Sequence, residues 1–250
     1  MFEPSAPAGS PSGLTDSPRP FVFRAVHLDG CTITQGKEFF FDLNLFDTRS
    51  PAIAYLILAF SQFARAGVGP QRGPAELIEV SRLKENGHPA ARIYDGTSVL
   101  NRAIEPTQLC LRPGADRVTQ VRIRFVTPTE LKCGHDLAAR PEFGVLASRV
   151  RDRLSTLRDL YGDGPLDMDF RAFGERASRV RLTRCSIRQV DVVRRSSRTG
   201  QIHPIGGFVG EAAYEGDLTE FIPFLRAARW TGVGRQTVWG KGEIDLVSVA

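Results

Sequence analysis

The chain of 250 residues is 42% hydrophobic, 24% charged and 9% aromatic, an ordinary globular composition that excludes a disordered or fibrous protein. Its longest apolar run, residues 52–60, is far shorter than the ~20 residues a membrane-spanning helix needs, and no basic stretch followed by an apolar one opens the chain, so membrane and secretory readings are excluded. The net charge of +5 conceals a concentrated source: residues 176–198 hold eight arginines against the single acid Asp191, a local +7, while the rest of the chain sums to −2.

Residues 1–20 contain 13 Pro, Ser, Gly or Ala and read as a linker, because such a composition buries too little apolar surface to order itself. Apolar and aromatic content predicts strands over 21–28 and 38–46. Ser50 and Pro51 suit the N-cap and first position of a helix running to Ala66 and ending at Gly67. A strand over 76–83 follows, whereas breakers leave 84–115 without an assignment. Strict alternation over 118–126 predicts a half-buried strand, and apolar positions stepping by three or four over 141–161 predict one helical face. A short helix over 170–177 and strands over 180–193 and 207–214 come next, with the Arg194–Gly200 turn between the strands. Asp217 and Glu220 have the spacing of a capping box for a helix ending near Trp230, and 244–249 closes the chain as a strand.

The order strand, helix, Gly-Val-Gly, strand occurs twice, with Gly67-Val68-Gly69 repeated 165 positions later as Gly232-Val233-Gly234. The strand, helix and strand ahead of the second copy complete a β-α-β-β-α-β unit of ferredoxin-like type; the first copy lacks its leading strand and helix. The expected fold class is therefore α+β, two tandem ferredoxin-like units, the first incomplete. Boundaries fall at 1–20 for the linker, 21–115 for the partial N-terminal domain and 116–250 for the C-terminal domain.

An arginine cluster is what a polyanion-binding surface requires, since guanidinium forks match phosphate oxygens and counterion release drives binding. The segment Gly232–Gly242 has glycines at 232, 234, 240 and 242 with Arg235 and Lys241 between them, a composition that lets a phosphate come close to the backbone. It lacks Walker spacing and Gly-x-Gly-x-x-Gly, so ATP and dinucleotides are not indicated and no cofactor is expected. Four cysteines, Cys31, Cys110, Cys133 and Cys185, form no Cys-x-x-Cys pair, so no metal site or disulfide framework is indicated and a reducing cytoplasm is expected. Cys133-Gly134-His135-Asp136 offers too few spaced ligands for zinc, and Asp167-Met168-Asp169 reads as a polar helix entry.

The run Gly206–Leu218, the helix after it and the Gly232–Gly242 loop resemble the C-terminal signature of the CRISPR-associated endoribonucleases that cut precursor CRISPR RNA, the sixth Cas protein family within the RAMP superfamily. Thr127–Lys132, the Arg194–Arg198 turn and Pro18–Val22 are similar to that family as well, so the resemblance spans residues 18–249. It implies two tandem ferredoxin-like domains and RNA held by Arg184, Arg188, Arg194, Arg195, Arg198, Arg235 and Lys241, with Gly232, Gly234, Gly240 and Gly242 allowing close approach. It also implies metal-independent cleavage, in which the ribose 2′-OH attacks the adjacent phosphodiester to leave a 2′,3′-cyclic phosphate. The family takes its histidine from the leading strand–helix unit that this chain lacks, and Met1–Pro4 resembles the tail of that unit. His203, beside the arginine turn, and His27 are the remaining catalytic candidates. The implied partners are CRISPR repeat RNA and other Cas proteins; the alternative is a non-catalytic RAMP subunit that holds guide RNA.

Overall fold

The computed structural model describes residues 17–47, 52–69, 71–100, 106–195 and 200–250, apart from the side chains of Ala52, Arg194, Arg195 and His203. In chain order the elements are β1 (Phe21–Arg24), β2 (Asp42–Leu45), α1 (Ala52–Ala66), β3 (Val80–Leu83), β4 (Pro89–Tyr94), β5 (Gln120–Thr129), β6 (Lys132–Cys133), β7 (Asp136–Leu137), α2 (Phe143–Tyr161), α3 (Phe170–Ala177), β8 (Arg181–Val190), β9 (Val193–Arg195), β10 (Ile202–Pro204), β11 (Gly207–Glu215), α4 (Ile222–Thr231) and β12 (Ile244–Val249). The protein is thus α+β. No helix among the described residues is long and apolar enough to cross a membrane.

A four-stranded antiparallel sheet in the order β12-β5-β11-β8 forms the larger scaffold. With β5, β8, β11 and β12 taken as first to fourth, this is the ferredoxin arrangement the sequence predicts for the C-terminal domain. Alternation puts Val121, Ile123 and Phe125 of β5 inside, while Arg122 and Arg124 between them stay exposed. Helix α2 lays Phe143, Leu146, Val150, Leu154 and Leu157 against the core, one stripe of three- and four-residue steps. Phe143, Tyr214, Phe221 and Phe173 meet edge to face at 4.9–5.1 Å, and such pairs add about 0.5–1.5 kcal/mol each beyond the area they bury. The Tyr214 hydroxyl donates to the Pro141 carbonyl at 2.8 Å, so its polar end is satisfied inside the core.

Several boundaries differ from the sequence expectation. Helix α4 starts at Ile222, not at Asp217, because Pro223 is accommodated only in a first turn, where its missing N–H has no partner to lose. Glu220 therefore makes no capping box; its carboxylate takes the Arg176 guanidinium side-on at 2.5 and 2.8 Å. The strand expected over 76–83 is confined to Val80–Leu83 and pairs with β4, which lies in the stretch left unassigned. Asp169 does enter α3 as expected: its Oδ1 accepts from the Ala172 N–H at 2.9 Å. The Ser50 and Pro51 cap falls outside the described residues.

By their contacts, the described residues divide into two compact units, one comprising residues up to Asp47 with Cys110–Ala250, the other Thr48–Leu109. The β1–β2 hairpin, which the sequence groups with residues 46–115, thus packs with the C-terminal domain. Its anchor is the C-terminal end of α4: Arg24 donates to the Arg229 carbonyl at 3.3 Å and Asn44 to the Trp230 carbonyl at 2.8 Å. Arg153 of α2 donates to the Thr231 carbonyl at 2.7 Å. These are the carbonyls a helix end leaves unpaired, where cations also complement the helix dipole.

Candidate nucleic-acid interface

The Gly232–Gly242 loop is stitched onto the end of β5. The Val126 N–H donates to the Glu243 carbonyl, and Thr127 Oγ1 both donates to the Gly240 carbonyl at 2.8 Å and accepts from the Glu243 N–H at 2.9 Å. Beyond them, the Gly242 N–H reaches the Pro128 carbonyl and the Arg235 N–H the Glu130 carbonyl, while the Val233 N–H closes the loop on the Gly242 carbonyl at 2.9 Å. A Cβ at Gly242, whose φ is 68°, would stand 1.9 Å from the Val233 oxygen, and one at Gly234 would stand 2.2 Å from the Glu130 oxygen. These two glycines are required because the protein backbone approaches itself. Gly232 and Gly240 also have positive φ, with nearest neighbours at 3.1 and 3.4 Å.

Lys241 has a different place from the one its residue type suggests. Only 3% exposed, its Nζ donates to Glu130 Oε2 at 2.7 Å, the Gly206 carbonyl at 2.6 Å and Gln236 Oε1 at 3.0 Å. All three ammonium hydrogens are used inside the protein, so Lys241 is a buried strut and not an exposed phosphate ligand. Burial pushes its pKa down, and the Glu130 carboxylate opposes that shift. Gln236 adopts a left-handed conformation, φ 57°, rare for a residue with a side chain. Its amide reaches the Pro204 carbonyl at 3.4 Å while its oxygen accepts from Lys241. Gly206 and Pro204 stand at the base of the β9–β10 hairpin, so Lys241 and Gln236 tie the glycine loop to it.

The strands of that hairpin, β9 and β10, flank the segment expected from the sequence to be the arginine turn, whose residues 196–199 lie outside the described residues. Residues 202–204 of β10 pair with residues 193–195 of β9 in antiparallel register, His203 opposite Arg194, and the Ile205 N–H closes the stem on the Val192 carbonyl. Arg198 and the side chains of Arg194, Arg195 and His203 lie outside the described residues. Arg235 projects from the loop, exposed and with no acidic partner among the described residues. Arg184 and Arg188 are exposed on β8 and likewise have no acidic partner among the described residues.

His27 sits in a short 3-10 turn, Val26–Leu28, after β1. Its ring stacks on Phe40 at 4.3 Å and its Nε2 lies 2.9 Å from the Phe40 carbonyl. A carbonyl only accepts, so Nε2 carries the hydrogen and a neutral His27 presents its lone pair at Nδ1. Asp42 is held above its usual range by burial, a shift opposed by His27 and Arg24. Two residues the sequence reading missed, Glu130 and Arg24, organise the site. Glu130 stands in the Thr127–Lys132 run but had no role assigned to it there, Arg24 carries no motif, and each matters through a partner more than 100 positions away. Among the described residues no group of three or more His, Cys, Asp or Glu is arranged to hold a metal ion.

A family of N-terminal domains matches residues 1–108, and the CRISPR-associated endoribonuclease Cas6 family matches residues 123–244. The Thermus thermophilus Cas6 TTHB231 is 20% identical over 53% of this chain and 55% of its own, with a TM-score of 0.42. The product complex of Cas6 TTHB231 is 18% identical over 91% of this chain and 81% of its own, with a TM-score of 0.53, which shows a shared fold. A substrate-mimic complex of Cas6 TTHA0078 is 19% identical over 91% of this chain and 84% of its own, with a TM-score of 0.48. No curated protein sequence matches. Residues 123–244, just under half of the chain, thus match the CRISPR-associated endoribonuclease Cas6 family.

Proposed function

We propose that this protein binds CRISPR repeat RNA and processes precursor CRISPR RNA by endonucleolytic cleavage. The observation that carries the reading is the Lys241–Gln236 tie, which couples a loop presenting Arg235 to the base of the arginine hairpin. Two basic elements fixed to one frame lose little entropy on closing around a phosphate backbone. Arg194, Arg195, Arg198 and Arg235 are the proposed phosphate contacts, and other Cas proteins are the proposed assembly partners.

In the proposed reaction the 2′-oxygen bonds to the adjacent phosphorus as the bond to the 5′-oxygen breaks, leaving a 2′,3′-cyclic phosphate and a 5′-OH. The base takes the 2′-OH proton, and the leaving oxygen gains one. His27, with Nδ1 available for a proton, and His203 are the candidate bases. Labelled repeat RNA incubated in EDTA, beside RNAs carrying single 2′-deoxy positions, tests this. Cleavage abolished by one 2′-deoxy position, and lost in His27→Ala or His203→Ala, supports the mechanism; cleavage that persists through every 2′-deoxy position contradicts it.

The alternative, a RAMP subunit that holds guide RNA without cutting, draws on the burial of Lys241. With that ammonium enclosed, the loop is left with Arg235 as its exposed cation and little to balance charge on a pentavalent phosphorus. Tight retention of intact repeat RNA distinguishes it.

A further inference from the structure

Helix α1 is apolar on all sides: its one charged residue is Arg65 in the last turn, and the Ser61 hydroxyl donates back to the Ile57 carbonyl at 2.8 Å. A helix of that composition belongs inside a protein. In the structure only one side of it is covered. Ile57 and Ala64 are buried, whereas Tyr55, Leu58 and Phe63 are 62%, 56% and 55% exposed. Together with Ala59, Gln62 and Ala66, also exposed, they form one stripe of three- and four-residue steps along the helix. Its counterpart in the internal repeat, α4, shows what an apolar helix of this protein does when it has a neighbour. It lies beside α2, with Phe224, Leu225, Ala227 and Ala228 all buried. Among the described residues of Thr48–Leu109, α1 is the only helix.

The stripe is symmetric about Ala59. Tyr55 stands four positions before it and Phe63 four after, so a second α1 running antiparallel and crossing at Ala59 sets each Tyr55 beside the partner's Phe63. The rows of residues spaced by four then run together in both helices, the commonest way helices pack, and the alanine at the crossing lets the backbones come close. Charge does not oppose this pairing. The stripe holds no ionisable group, and Arg65 lies six positions past the crossing in each copy, so the two guanidiniums stand about 18 Å apart along the axis, beyond the screening length of ~8 Å. Residues 48–109 carry seven Lys or Arg against five Asp or Glu, and the concentrated arginines of residues 176–198 belong to the other unit. A nucleic acid or acidic peptide finds no cation on the stripe, and α1 lacks the lysine- and arginine-rich flank with which interfacial helices hold a lipid surface. What fits the stripe is another uncharged helix face of the same shape.

We infer that the exposed face of α1 is the contact between two copies of this chain, an antiparallel helix pair centred on Ala59. The same patch serves both copies, so the contact is isologous and closes at two. Pairing takes Tyr55, Leu58 and Phe63 of both copies out of water, which is its driving force. One helix face is small beside the interfaces of permanent dimers, so association depends on concentration, with a dissociation constant in the micromolar range. It rests on α1 alone and needs no RNA.

The experiment is sedimentation equilibrium of the full chain without RNA, from about 1 to 200 µM, a range that brackets a micromolar dissociation constant. It compares the wild type with Leu58→Glu, Tyr55→Glu/Phe63→Glu and Tyr55→Lys/Phe63→Lys. All three positions face solvent, and thermal melts verify that each variant folds. The wild type is expected to pass from monomer to dimer as its concentration rises, and Leu58→Glu to weaken the dimer by about tenfold or more. Each double variant is expected to stay monomeric, because like charges then meet at both ends of the crossing. Their equimolar mixture is expected to regain a dimer, in which opposite charges meet. A wild type that remains monomeric at the highest concentration overturns the inference, as does a dimer that every variant retains or an assembly larger than two. Loss of the dimer in both double variants with no recovery in the mixture overturns the antiparallel crossing at Ala59. Each of these outcomes leaves the proposed RNA binding untouched.

Discussion

The ammonium of Lys241 and the carboxylate of Glu130 are 2.7 Å apart, 111 positions distant in sequence, and together they fasten the glycine loop to the end of β5. The pair is largely enclosed, with side-chain exposures of 3% and 16%. Removing one partner of such a pair leaves the other desolvated and unmatched, which costs more than the pair contributes. Lys241→Met is therefore expected to destabilise the protein by about 3–5 kcal/mol, measured by urea unfolding, and to weaken RNA binding by loosening the loop from the hairpin base. A loss below about 1 kcal/mol, the range of an exposed ion pair, would show that the ammonium is not the strut described.

The glycines of the loop separate into two groups by what a methyl would meet. At Gly242 a Cβ would fall 1.9 Å from the Val233 oxygen, whereas at Gly240 the nearest atom is the Phe23 oxygen at 3.4 Å. Both have positive φ, so each Ala substitution carries backbone strain of about 1 kcal/mol or more. Gly242→Ala adds a backbone clash and is expected to lower the melting temperature far more than Gly240→Ala. Equal melting temperatures would contradict the close approach of Val233 and Gly242.

Glu243 supplies a pH signature. Its Oε2 is buried without a hydrogen bond among the described residues, 3.7 Å from Arg24 Nε. Burial raises its pKa above the ordinary 4.5, and Arg24 only partly opposes the shift. Between 4.5 and the raised value the folded state holds more protons than the unfolded one, so this group's contribution to stability falls as pH rises. Glu243→Gln removes the titrating carboxyl. The variant is expected to gain stability relative to the wild type from pH 4 to neutrality, read as the difference between urea midpoints at each pH. A difference that shrinks with rising pH would mean that the carboxylate is favoured in the fold.

The ferredoxin order of the C-terminal sheet was legible because its strands alternate and its helices carry apolar stripes; Val121, Ile123 and Phe125 announce their face without help from distant chain. The arginine hairpin was legible as a cluster of charge. Lys241 was not: a lysine between two glycines has the composition of a phosphate loop, and only the folded chain brings Glu130, Gly206 and Gln236 around it. The packing of the β1–β2 hairpin with the C-terminal domain was hidden for the same reason, since Arg24 and Asn44 find their partners at Arg229 and Trp230, about 200 positions on. The start of α4 was masked by the capping-box spacing of Asp217 and Glu220, whereas Pro223 fits only a first turn and places the start at Ile222.

The most direct test of the account is the salt dependence of repeat-RNA binding by the wild type and by a variant in which Arg194, Arg195 and Arg198 are all alanine. Three phosphate contacts on a single strand contribute about 2 to the slope of log affinity against log salt. The account predicts a steep wild-type slope that falls by about that amount in the triple variant, with weaker binding at low salt. Unchanged affinity and slope would contradict the claim that the arginine hairpin grips the RNA.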